Sequence, residues 1–245
     1  MENAVEVRGL TKDFGDVRAV NDISFNIKKG EIMGLLGHNG AGKSTTIQML
    51  LDLTTPTSGE VKVLGMDYKH KREEILTRVN FSSSYVSMPY SLTVYENLKV
   101  FASLYGIPKK EIDGRIDEVL ELFGIPDFKD KSTQNLSSGQ VTRICLAKAF
   151  INRPEIIFLD EPTASLDVDI ADKTRRLIKK RNEENGLTVL VTSHNMHEME
   201  DMCHRIVIMD KGNIVEEGTP KGLLEKHSGK NLEEVFLKII RKGKD

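Results

Sequence analysis

The chain has 245 residues, 39% of them in the hydrophobic set and 29% charged, which excludes disorder throughout. With 35 Lys and Arg against 37 Asp and Glu, the formal net charge of -2 supplies no large positive field, so no nucleic acid is expected as a partner. Two cysteines, Cys145 and Cys203, stand outside any C-x-x-C spacing, leaving neither a disulfide framework nor a zinc site and suiting a reducing cytosol.

Period-two alternation in Val5–Phe14 and Ile23–Ile27, followed by the turn signal Lys29-Gly30, predicts an N-terminal antiparallel sheet. Ile32–Leu36 is almost continuously apolar, as a strand covered on both faces should be, and it runs into Gly37–Ser44 and a helix from Ser44 to about Leu51. Glu60–Met66 and Val79–Ser82 read as further strands, with a charged helix near Arg72–Arg78 between them. Thr93 and Glu96 fit a capping box opening a helix that ends near Gly106-Ile107-Pro108. Ile112, Ile116, Val119, Leu120 and Phe123 mark one face of the next helix, stopped by Gly124.

Residues 88–152 therefore read as a mostly helical insertion. Alternation of strand and helix resumes with Ile156–Asp160, a helix from Val168 to about Glu183, Leu187–Thr192 and a short helix Met196–Met202. A strand pair around Lys211-Gly212-Asn213 and a helix Leu232–Arg241 close the chain. The expected fold is α/β, one domain over 1–245, with a mixed sheet core, an N-terminal antiparallel β subdomain, the helical insertion and a C-terminal extension from about 219. The acidic N-terminus has no secretory signal and no run of about 18 apolar residues occurs, so the chain is not expected to cross a bilayer by itself.

Gly37-His38-Asn39-Gly40-Ala41-Gly42-Lys43-Ser44 satisfies G-x-x-x-x-G-K-[ST] between a buried strand and a helix. In that context backbone N–H groups and the helix N-terminus hold phosphates, Lys43 bridges the β- and γ-phosphates and Ser44 ligates Mg²⁺. Gly37 through Thr45 are thus candidate nucleotide-binding residues. Ile156–Asp160 ends in two adjacent carboxylates at the end of a strand, where open α/β sheets bind ligands. Asp160 suits Mg²⁺ and Glu161 suits orienting and deprotonating a water, although strand-end carboxylates also serve as helix caps.

Four further segments match in order, and the chain resembles the nucleotide-binding subunit of ATP-binding-cassette (ABC) transporters over essentially its whole length. Leu136-Ser137-Ser138-Gly139-Gln140 is similar to that family's signature, Ala164-Ser165-Leu166-Asp167 to its D-loop, His194 to its switch histidine and Phe14 to its adenine-stacking aromatic. The resemblance implies an ATPase in which two cassettes pair head to tail, ATP and Mg²⁺ lying between one P-loop and the other's Ser137–Gln140, with Asp167 reaching across. It further implies transmembrane permease subunits as partners, a place on the cytoplasmic face of the membrane, and most closely bacterial exporters of the ABC-2 kind. A soluble protein-assembly ATPase of the iron–sulfur type is the alternative.

Plainer readings stand beside these. Ser137 is also an N-cap, Phe14 is also core, His194 and His197 lack a third metal ligand, and Arg175 to Arg181 reads as the solvated face of a helix. Two positions depart from the family pattern: Ser138 replaces a glycine, and Ser84 stands where glutamine is usual, reaching Mg²⁺ only through water.

Overall fold

The computed structural model describes residues 2–83 and 88–242; Ser84 lies outside the described residues. Strand β1 (Asn3–Phe14) pairs antiparallel with β2 (Val17–Lys28) and with β4 (Ser58–Val63), which folds back into β5 (Met66–Asp67). The expected single strand Glu60–Met66 is broken because Leu64 and Gly65 both take positive φ, 54° and 73°, the geometry of a tight two-residue hairpin turn.

A six-stranded mixed sheet forms the centre. Strands β3 (Ile32–Leu36), β6 (Val79–Ser83), β7 (Ile156–Asp160), β8 (Thr188–Thr192) and β9 (Arg205–Asp210) run parallel, and β10 (Asn213–Gly218) is antiparallel to β9. The order is β10-β9-β3-β8-β7-β6. Every residue of β3, β7 and β8 is buried, which explains their unbroken apolar runs. Successive side chains point to opposite faces. Ile32, Leu36, Ile157, Leu159, Val189, Val191, Ile206 and Ile208 enter the core shared with the helical insertion. Met33, Leu35, Ile156, Phe158, Leu190, Val207 and Met209 enter the core shared with the antiparallel sheet.

Helix α1 (Lys43–Leu50) follows β3 and packs its buried Ile47, Met49 and Leu50 into the second of these cores. Beyond α2 (Tyr68–Arg78), the insertion holds α3 (Val94–Leu104), α4 (Lys109–Leu122) and α5 (Ser138–Phe150). Both α3 and α5 open on reciprocal capping boxes, Thr93 with Glu96 and Ser137 with Gln140. After β7 come α6 (Val168–Asn185), α7 (Met196–Met202), α8 (Pro220–Lys226) and α9 (Leu232–Lys242). Helix α8 was not anticipated, yet its signal is ordinary: Thr219 caps it by accepting from Gly222 N–H, and Pro220 sits in its first turn.

The entry ends of the central strands are tied by one mostly buried ion pair. Arg205, first in β9, donates from Nε to Glu31 Oε1 at 2.8 Å and from Nη2 to Glu31 Oε2 at 3.1 Å, while Lys28 N–H reaches Glu31 Oε2 at 2.7 Å. Burial alone would raise the Glu31 pKa, but these donors outweigh it and hold the carboxyl below the ordinary glutamate range. A depressed folded value stabilises the fold above the unfolded glutamate pKa, and that contribution is lost as pH falls through the folded value. Glu31→Ala removes the most buried partner of Arg205, leaving it Glu217 and the Asn26 carbonyl, and is expected to lower unfolding stability by roughly 2 kcal/mol at neutral pH. Urea unfolding should show the difference from wild type shrinking on acidification; a gap that widens toward acid pH would contradict the assignment.

Candidate functional site

Three loops meet at the carboxyl ends of β3, β7 and β8. The first follows β3, where the chain turns so tightly that a Cβ on Gly37 would come within 2.6 Å of the Met209 carbonyl and 2.8 Å of the Ala41 Cβ. Gly42 takes φ 102°, and a Cβ there would lie 2.6 Å from the Ala19 carbonyl. Glycine at these two positions lets the loop close against β2 and β9. Ala41 N–H donates to the His38 carbonyl at 3.0 Å, and the Ala41 carbonyl accepts from Gly212 N–H at 3.1 Å, so the β9–β10 turn buttresses the loop from behind.

Lys43 is buried and donates from Nζ to the carbonyls of Gly37 at 2.8 Å and His38 at 3.2 Å, curling the side chain along the loop. Burial lowers its pKa, opposed by the charges of Glu161 and Asp160. Ser44, one residue on, donates from Oγ to Asp160 Oδ2 at 3.1 Å.

Asp160 closes β7, and the strand's alternation aims it at the face that carries α1. Thr192, its register partner at the end of β8, donates from Oγ1 to Asp160 Oδ1 at 2.6 Å. The next residue leaves the strand: Glu161 takes φ 52°, with its N–H donating to the Thr192 carbonyl and hydroxyl, each at 3.1 Å. A non-glycine residue in the left-handed region costs about 1–3 kcal/mol and persists where surrounding bonds over-determine it. The turn brings Glu161 Oε1 to 3.2 Å from His194 Nδ1.

A cleft of about 260 Å³ is lined by Asn39, Gly40, Gly42, Lys43, Ser44, Thr45, Asp160 and Glu161. Gly37, His38 and Ala41 shape the loop rather than line this cleft. Phe14 is 51% exposed at the end of β1, so it is not core; Lys12 Nζ sits 4.8 Å over its ring. It does not line the cleft, although its hairpin touches the loop through Ala19. Ser137 to Gln140 also lie outside the lining. They open α5, where a Cβ on Gly139 would stand 2.9 Å from the Ser165 carbonyl. Ser138 is exposed, so a side chain is accommodated there while Gly139 answers the close contact. Asp167 is exposed at the N-cap of α6 and makes no capping bond through its side chain.

Thr192 escaped the sequence reading. Its signal is a hydroxyl ending an otherwise apolar run, one residue before Ser193-His194.

The sequence pattern of the ABC transporter family matches residues 20–164. The chain belongs to that family. It is 37% identical over 98% of its length to the probable multidrug ABC transporter ATP-binding protein YbhF of Escherichia coli (strain K12), of which it spans 42%. It is 37% identical over 95% of its length to the bacitracin transport ATP-binding protein BcrA of Bacillus licheniformis, of which it spans 75%. Among solved structures, the dimeric post-hydrolysis state of the ATP-binding cassette MJ0796 bound to ADP and Pi superposes with a TM-score of 0.78 at 28% identity, covering 88% of this chain and 98% of that one.

For an ABC cassette, the fit to ATP and Mg²⁺ can be judged on the donors present. Ser44 Oγ and Asp160 Oδ2 are hard oxygen ligands facing one another, and Mg²⁺ typically takes one or two protein ligands and completes its shell with phosphate and water. Among the described residues no group of three or more His, Cys, Asp or Glu could hold a metal ion. The residues fit both groups. Gly42→Ala places a methyl in a left-handed backbone against a carbonyl. It should cost more than about 1 kcal/mol of stability and weaken MgATP binding at least about tenfold. Thermal unfolding and titration calorimetry would contradict this if both matched wild type.

Proposed function

We propose that the chain binds ATP with Mg²⁺ at the P-loop, hydrolyses it between two cassettes, and thereby powers export through a transporter with separate membrane subunits. The observation that carries the reading is one hydrogen-bonded set, Ser44–Asp160–Thr192, joining the P-loop to two strand ends beside the Glu161–His194 pair. Loop N–H groups and Lys43 hold the β- and γ-phosphates; Ser44 and Asp160 hold Mg²⁺, which when bound neutralises charge on those phosphates. Glu161 orients the attacking water and accepts its proton as the water oxygen bonds to the γ-phosphorus and the bond to ADP breaks. His194, through Nδ1, holds Glu161 in place. Phe14 is the proposed adenine platform.

Asn39, Gly40, Gly42 to Thr45 and the two carboxylates make one wall of the proposed site. Ser137 at the capping box of α5 is exposed, presenting its hydroxyl and a helix N-terminus, and Asp167, two residues after the Ser165 that Gly139 approaches, is exposed as well. Head-to-tail pairing with a second cassette supplies the missing wall. The names of the relatives, multidrug and bacitracin transport, support transport over protein assembly.

No described helix is long and apolar enough to cross a membrane. Docking to permease subunits on the cytoplasmic face is supported by a mainly apolar groove of about 600 Å³ lined by Leu53, Leu76, Phe81, Phe101 and Leu104, of which Leu104 is 74% exposed.

Glu161→Gln keeps the shape of the site without its base and should accumulate an ATP-bound dimer on gel filtration while turnover falls about 10²–10⁴-fold. Lys43→Ala should lose nucleotide binding. Wild-type turnover in either variant overturns the reading. Leu104→Glu is expected to leave ATP binding by the isolated chain intact but to reduce its recovery with detergent-solubilised membrane partners; full recovery would remove the groove from the docking surface.

A further inference from the structure

Beside the proposed catalytic cleft, the Thr163–Leu166 turn, α6 and α7 enclose a second pocket of about 720 Å³. One of its lining residues is Glu198, only 9% exposed on α7, which the hydrolytic reading leaves without a role. Its carboxylate serves three elements at once. Oε2 accepts from Thr163 Oγ1 at 2.7 Å and from Ser193 Oγ at 3.2 Å, while Oε1 accepts from Arg175 Nη1 of α6 at 2.7 Å. Arg175 also donates to Asp172 Oδ1 at 3.3 Å, so it is held in place, while Arg176 and Lys180 keep the solvated helix face the sequence predicts.

The positions of these partners matter. Thr163 stands two residues after Glu161 and begins the turn that ends in Asp167; Leu166 N–H closes that turn on the Thr163 carbonyl at 3.0 Å. Ser193 immediately precedes His194, and its Oγ accepts from Asn195 N–H at 3.0 Å. Asn195 then caps α7 by accepting from the N–H groups of His197 and Glu198. Glu198 is therefore fixed on a capped helix, neutralised by a guanidinium and bonded to the roots of two functional loops. Hydrogen bonds to an ionised acceptor are about twice as strong as neutral ones, and losing one partner of a buried charge pair is expensive, so the arrangement resists partial opening.

We propose that Glu198 is a positioning residue that clamps the loop bearing His194 to the turn bearing Asp167, so that the two loops shift as one body. The inference rests on the ATPase reading above. Its consequence is coupling: the histidine beside this chain's own Glu161 cannot move without moving the aspartate offered to the second cassette. Through the Gly139–Ser165 contact, the same movement reaches the N-terminus of α5.

The test uses the full chain. Thr163→Val removes one arm and is expected to lower kcat about tenfold with KM within about twofold, since small misplacement of catalytic groups acts on the chemical step. Thr163→Ser keeps the hydroxyl and should restore kcat. Glu198→Gln should lower kcat at least as far, and the double variant Thr163→Val with Glu198→Gln no further, because both cut the same linkage. Hydrogen exchange of the nucleotide-free chain should rise together in residues 163–167 and 193–197 for Glu198→Gln. Additive losses, a Thr163→Ser variant as slow as Thr163→Val, or an exchange increase confined to one segment would overturn the clamp. Absence of ATPase activity in wild type would instead refute the hydrolytic reading, and the exchange measurement would still decide whether the two loops are joined.

Discussion

Alternation of side chains along the buried parallel strands governs what can assemble at their ends. Between two apolar cores, a charged side chain inside β7 would lie unsatisfied in either one, so a carboxylate can emerge only where the strand stops. Asp160 is that residue, and its parity sends it to the layer containing α1 rather than to the helical insertion. Thr192 shares the parity and the register, so its hydroxyl meets one carboxylate oxygen while Ser44 meets the other. Glu161 would point to the opposite core if the strand continued. A left-handed φ takes it out of that alternation, and two bonds from its N–H to Thr192 hold it there.

The helical side of the molecule obeys a different constraint. Residues Ile144 to Phe150 of α5 are all buried, whereas Ser137 and Ser138 at its start are exposed and the first turn is organised by the Ser137–Gln140 box. A helix so anchored at its C-terminal half presents a fixed N-terminus, whose positive dipole end suits an anion. The close approach of Gly139 to the Ser165 carbonyl then fixes that N-terminus relative to the turn after Glu161. In the proposed pairing, the surface offered to a second cassette is set by the same segment that carries the proposed base, which is why a local shift at one site has a structural route to the other.

Much of this is legible in the sequence alone. The apolar runs of the central strands, the P-loop glycines and the Thr93–Glu96 box are short-range patterns, and short-range chemistry determines them. The hairpin at Leu64-Gly65 was missed because a single left-handed leucine leaves no compositional trace. Helix α8 was missed because its seven residues are too short for periodicity to register. Contacts between distant residues were the least accessible: Arg175 looked solvated because its neighbours Arg176 and Lys180 are, and only the packing of α6 on α7 turns it toward Glu198. Phe14 could be decided only by its exposure.

His38 illustrates how tertiary packing reassigns a residue that its motif would claim. By position it belongs to the phosphate loop, and its carbonyl does accept from Lys43 at 3.2 Å. The imidazole, however, lies edge-on against Phe236 with ring centroids 4.8 Å apart. Phe236 is buried on α9 together with Leu232, Val235 and Ile240, spaced as one helical face, and α9 is tied to α7 where Leu232 N–H donates to Glu200 Oε2 at 3.3 Å. The C-terminal helix thus touches the loop at the His38 ring and rests on the helix that follows His194. At position 38 the backbone belongs to the loop and the side chain to α9, so the choice of residue there is governed by packing against Phe236, while the loop's peptide geometry is set by its glycines.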